Sequence, residues 1–206
     1  MDSYDTIATP AAAEYIEKRS RFLSEIRPLS TEAELAAFLA GVRARHHDAR
    51  HHCWACALRE GGTFRCSDDG EPQGTAGVPM LEVLRREGLT DAGVVVTRYF
   101  GGILLGAGGL ARAYTHSAKL AVDAAARVRM RLCALLLLEL PYALYDQIRV
   151  LLGSFDAVIL DTAFAAAVTL RVRVRRDQLD EFTRRLTERS GGTLAPVPLG
   201  EEFAAL

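Results

Sequence analysis

The residues best suited to chemistry fall into two stretches. One is an acidic loop, Ser67-Asp68-Asp69-Gly70-Glu71-Pro72-Gln73-Gly74-Thr75-Ala76-Gly77. The other is a run carrying five glycines, at positions 101, 102, 106, 108 and 109, just ahead of a strongly helical segment. Glycine allows a ligand to approach the backbone closely. A helix start offers unpaired N–H groups and the positive end of a dipole. Arg98 before the run and Arg112 after it add two guanidinium forks that match a phosphate. These features point to an anion site made by Arg98, Gly106, Gly108, Gly109 and Arg112. His116 and Lys119 follow on the same helical face.

Asp68, Asp69 and Glu71 are hard oxygen ligands or candidate general bases. Equally, they fit a solvated turn in which an Asp caps backbone amides. Their spacing is not that of a calcium-binding loop. His51, His52, Cys53, Cys56 and Cys66 look at first like a zinc or redox set. On a strand, however, Cys53 and Cys56 face opposite ways and cannot share a metal. A hairpin centred on Gly61 would instead set Cys56 opposite Cys66, as two reduced thiols. No metal site and no cofactor is expected. Further along, Arg171, Arg173 and Arg175 alternate with Val172 and Val174. A strand there carries an arginine stripe, either a secondary RNA face or an ion-paired, solvated one. No P-loop, serine elbow or H-E-x-x-H helix occurs.

Coarse periodicity supplies the elements that must hold these residues. A strand over 4–7 precedes a strand pair over 12–28 that turns at Lys18–Ser20. Thr31 and Glu34 make a capping box for a helix to His46, with Leu35, Phe38, Leu39 and Val42 on one buried face. Strands over 50–58 and 63–67 form the hairpin. A short helix opens at Pro79 and runs to Arg86. Gly93–Tyr99 is a buried strand, Gly101–Gly109 a loop, and Leu110–Ala126 a helix. Beyond Arg127–Arg131 the order is strand 132–140, helix 142–153, strand 157–162, strand 166–175, helix 177–190 and strand 193–198. That βαββαβ order is ferredoxin-like.

The chain of 206 residues is 25% charged, half apolar, and carries a net charge of −1. Such neutrality excludes a polybasic nucleic-acid binder, so any phosphate site must be local. No apolar run reaches the ~20 residues of a membrane span. The acidic start, Met1-Asp2-Ser3-Tyr4-Asp5, is unlike a signal peptide. A cytoplasmic protein without a membrane partner is expected.

The motifs Ser67-Asp68-Asp69-Gly70-Glu71-Pro72, Gly74-Thr75-Ala76-Gly77 and Thr97-Arg98-Tyr99-Phe100-Gly101-Gly102, continuing through Gly106 to Tyr114, resemble the signature of the Impact/YigZ family. Lys18-Arg19-Ser20-Arg21-Phe22 and His51-His52-Cys53-Trp54 resemble its upstream segments. His52, Cys56 and Gln73 depart from the usual residues. The resemblance implies an α+β protein of two domains. Residues 1–129 would have the ribosomal protein S5 domain 2-like fold. Residues 130–206 would be ferredoxin-like, similar to the last domain of the translocating elongation factor. It also implies a translation-linked regulator whose partner is RNA or the translation apparatus. An enzyme acting on a nucleotide or small phosphorylated substrate, with Asp68, Asp69 or Glu71 as base or metal ligand, is the second reading. A protein-binding adaptor is the third.

Overall fold

The capping box written in Thr31 and Glu34 forms as read: Glu34 N–H donates to Thr31 Oγ1, and the Glu34 carboxylate accepts from the Thr31 N–H. The helix it starts, α1 (Glu32–Arg45), buries Leu35, Phe38, Leu39 and Val42. A computed structural model describes residues 2–206, which form ten strands in two sheets and five α-helices among the described residues. The chain divides into two compact units, Tyr4–Val128 and Arg129–Leu206, the second also holding Asp2 and Ser3. No described helix is long and apolar enough to cross a membrane.

After β1 (Ser3–Ile7), the N-terminal unit continues with β2 (Ala11–Glu17) and β3 (Ser20–Pro28). After α1 come β4 (His51–Leu58), β5 (Thr63–Ser67), α2 (Gly77–Arg86), β6 (Ala92–Tyr99) and α3 (Gly106–Ala124). The antiparallel sheet runs β2-β3-β6-β4-β5. Both of its faces are covered. Phe22, Ile26, Val94 and Val96 pack with Met80, Leu84, Tyr114 and Ala118 of α2 and α3. On the other face Cys56, Leu58 and Val95 pack against α1. With both faces dry, β6 reads as an unbroken apolar run rather than an alternation.

In the C-terminal unit β7 (Arg127–Leu140), α4 (Tyr145–Leu152), β8 (Ala157–Phe164), β9 (Val168–Arg175), α5 (Leu179–Arg189) and β10 (Val197–Ala204) follow in order. Antiparallel pairing sets β10, β7, β9 and β8 side by side. Leu136, Leu138, Leu170 and Val172 pack on Ile148, Leu151, Phe182 and Leu186 of the two helices.

Several expectations shift. The helix placed at Leu110 starts at Gly106, so Gly106, Gly108 and Gly109 form its first turn. Burial of Leu110, Ala113 and Tyr114 outweighs a glycine penalty of about 1 kcal/mol per residue. Helix α2 starts at Gly77 rather than Pro79, which a proline tolerates because first-turn N–H groups need no helical partner. Strand β10 lies at 197–204, not 193–198; its solvated edge position leaves no alternating pattern to read. Single 3-10 turns push the starts of α4 and α5 three and two residues downstream of 142 and 177. Finally, Cys66 pairs with Ala55 and Cys56 with Arg65. That register is one residue away from a hairpin centred on Gly61, so the two thiols lie on opposite faces. Cys56 belongs to the α1-side core and Cys66 packs against the other.

Candidate functional site

The acidic loop is held by its own side chains. Asp68 Oδ1 accepts from the N–H groups of Ala76 (2.9 Å) and Gly77 (2.8 Å), and Oδ2 from Gly74 (2.8 Å). The carboxylate thus caps the start of α2 from outside the helix. Burial opposes its charge, but three N–H donors outweigh burial and hold the carboxyl below its ordinary 3.8. Asp69, at φ 40°, accepts from the His52 N–H (2.7 Å) and from Arg43 (2.9 Å). Its carbonyl lies 2.9 Å from His51 Nδ1.

Glu71 is buried, and its Oε1 accepts from Arg98 Nη1 (2.7 Å) and from the Tyr114 hydroxyl (2.8 Å). Arg98, only 6% exposed, also donates to Ser20 Oγ at 3.3 Å. Ser20 Oγ in turn accepts the Gly101 N–H at 3.2 Å. A Cβ at Gly101 would stand 2.0 Å from the Arg19 carbonyl carbon, so only glycine lets the loop meet the β2–β3 turn. That turn is two residues, Lys18 and Arg19, both in the left-handed region. The guanidinium thus bonds Ser20 and Glu71 directly, and these tie in Gly101 and Tyr114. Beneath it, burial drives the Tyr114 hydroxyl's pKa far upward, and burial also pushes the Cys53 thiol up to about 12. Both remain protonated, and Cys53 donates to the Asp68 carbonyl.

Above this network opens a cavity of about 840 Å³. Phe100, Leu104, Leu105 and Leu110 form its apolar part. Its polar part is Arg50, Arg98 and the start of α3 at Gly106 and Ala107, together with Asp48, His51 and Glu71. No side chain caps that helix, and its first turn holds no acidic residue. Gly106 itself has φ 69°, a conformation that turns the loop into the helix. The Nε of Arg98 is buried and has no hydrogen-bond partner. Arg50 is exposed and makes no ion pair among the described residues.

Of the residues the sequence singled out, the cavity gathers Arg98, Gly106, Glu71 and His51. Gly108 and Gly109 continue the same first turn. Arg112 and His116 lie further along α3, beside Pro79 and Tyr15, outside this cavity. His116 packs edge-on to Tyr15 at 4.5 Å, and Lys119 is paired with Glu87 and Asp123. Asp68, Asp69 and Glu71 each serve a different set of donors. Among the described residues no three His, Cys, Asp or Glu side chains are grouped to hold a metal. In the C-terminal unit the arginine stripe is ion-paired at Arg173 (to Glu202) and Arg175 (to Asp156 and Asp177), while Arg171 is exposed.

Sequence reasoning passed over Arg50, Phe100 and Leu104. The last two carried a signal. Large apolar residues inside a glycine-rich loop, 55% and 83% exposed here, have no core to fill.

A family model described as the Impact N-terminal domain matches residues 18–122, and one for a domain of unknown function, DUF1949, matches 138–193. The chain is 37% identical over 204 residues to IMPACT family member YigZ of Escherichia coli (strain K12), covering 98% of this chain and 100% of that protein. It is 34% identical over 193 residues to IMPACT family member YvyE of Bacillus subtilis (strain 168), covering 93% and 89%. A crystal structure titled only as a hypothetical protein superposes with a TM-score of 0.65 at 35% identity, over 97% of this chain and 98% of that one.

Proposed function

This chain belongs to the IMPACT family, and on that premise we propose that it is a cytoplasmic, translation-linked protein that binds RNA through the cavity at the start of α3. The observation that carries the reading is an uncapped helix start, free of acidic residues, that opens on a cavity lined by Arg98 and Arg50. Backbone amides and a guanidinium fork are the groups that grip phosphate oxygens. Arg50 supplies an exposed cation at the same opening, and Arg112, exposed on α3 outside the cavity, supplies a second. The enzyme reading lacks such support, because the carboxylates it needs are committed to Gly74, Ala76, Gly77, His52, Arg43, Arg98 and Tyr114.

The proposal extends to architecture. We assign the first domain, 1–129, to the ribosomal protein S5 domain 2-like fold and the second, 130–206, to the ferredoxin-like fold. The β10-β7-β9-β8 order and the βαββαβ succession support the second assignment.

The test is anisotropy of a labelled single-stranded RNA. With two phosphates engaged, affinity should fall roughly tenfold between about 50 and about 200 mM salt. The double variant Arg50→Ala, Arg112→Ala should flatten that slope. Unchanged affinity and slope in the double variant would sink the reading. Arg98→Ala is a poor probe, since it strands the Glu71 carboxylate in the interior.

A further inference from the structure

We infer that the cavity seats a single nucleoside monophosphate unit, with the base against Phe100 and Leu104 and the phosphate on the α3 amides and Arg50, beside the Arg98 guanidinium. The inference rests on the RNA-binding reading and specifies its ligand. Four observations meet here. The first is size: about 840 Å³ lies within the range of small-ligand sites, roughly 300–1,000 Å³. A second is the division of the walls. One side is apolar and offers an aromatic face; the other carries N–H donors beside the already engaged carboxylates of Glu71 and Asp48. A nucleotide has the same division between base and phosphate.

Phe100 is the third. Its ring stands 5.6 Å from the Arg98 guanidinium carbon, so the charge that faces the cavity also fixes the ring that borders it. With that ring 55% exposed and Leu104 83% exposed, the apolar wall is open for stacking. The fourth is charge. The cavity holds two arginines, Arg50 and Arg98, and two carboxylates, Glu71 and Asp48. Glu71 is consumed by Arg98 and Tyr114, and Asp48 accepts from the Tyr99 hydroxyl at 2.9 Å. Formal charge therefore cancels, leaving the helix start, equivalent to about half a positive charge, as the net attraction. A monophosphate meets that field with the least excess anion; a di- or triphosphate would add anion without a cation to meet it. The same chemistry comes from a free mononucleotide or from an unstacked or terminal nucleotide of an RNA strand.

Calorimetric titration of the full chain with AMP, ADP and ribose 5-phosphate separates the contributions, and a labelled RNA oligonucleotide separates the two sources. AMP should bind about tenfold more tightly than ribose 5-phosphate, the factor expected of one stacked base. ADP should bind no tighter than AMP. Phe100→Ala should erase the gap between AMP and ribose 5-phosphate without weakening the latter. Leu104→Ser, at a still more exposed position, should narrow the gap as a second check. Equal affinity for AMP and ribose 5-phosphate overturns the inference, as does a Phe100→Ala variant that keeps the gap. RNA binding without AMP binding overturns it too and leaves the RNA reading standing. AMP binding without RNA binding supports the nucleotide site, assigns it to free mononucleotides and overturns the RNA reading. Binding of neither overturns both.

Discussion

Two arginine–carboxylate pairs, one in each unit, sit in opposite environments. In the N-terminal unit Arg98 and Glu71 have side chains only 7% and 3% exposed, with Tyr114 and Ser20 completing their hydrogen bonds. In the C-terminal unit Arg173 and Glu202 meet at 21% and 37% exposure on the sheet face away from α4 and α5. A pair in water contributes little, because solvent already serves both charges. A pair in the interior exacts a desolvation cost and must be fully partnered. A sheet covered on both faces therefore has to partner nearly all of its polar groups. A sheet covered on one face can let its charges remain wet. The buried network leaves one of its donors, Arg98 Nε, without a partner.

Removing one partner from each pair is the strongest test of this contrast. Glu71→Ala strands the Arg98 guanidinium and should lower stability by about 3–5 kcal/mol. Urea unfolding read through Trp54, the chain's single tryptophan and a β4 residue of the same unit, measures it. A loss below ~1 kcal/mol would show that the buried network tolerates an unpaired charge. Next in size is the loop cap. Asp68→Ala removes an acceptor from three N–H groups and should cost about 1–2 kcal/mol at neutral pH. Because the folded carboxyl titrates below 3.8, its contribution is complete above that value and is lost as pH falls through the depressed one. The variant's deficit should therefore shrink in acid, and a deficit that is constant from pH 6 to about pH 2 would contradict the cap. The smallest effect belongs to the open face, where Glu202→Ala should cost under about 1 kcal/mol by circular dichroism melting.

Much of the scaffold was legible because its signals are local. Thr31 and Glu34 announced α1, and the 3.6-residue spacing of Leu35, Phe38, Leu39 and Val42 named its buried face. Alternation of Arg171, Val172, Arg173, Val174 and Arg175 separated the two faces of β9. Harder to read were elements whose limits depend on distant partners. The hairpin register moved Cys66 one residue away from Cys56, and β10 gained its span from pairing with β7. Glycines at 106, 108 and 109 read as loop, yet helix packing recruited them into α3.

The candidate site divides along the same line. The sequence by itself determined the family, the neutrality that confines any phosphate site to a local cluster, and the presence of Arg98 and a glycine-rich run before a helix. Only the tertiary structure decided which acids are spent: Asp68 on the α2 start, Asp69 on β4 and α1, Glu71 on Arg98. It also decided that Arg50 and Phe100, rather than Arg112 and Lys119, share the cavity with Arg98. Residue type and spacing specify what a side chain can donate or accept. Which partner it meets depends on sheet register and helix packing, which bring together residues as far apart as Ser20, Glu71 and Arg98.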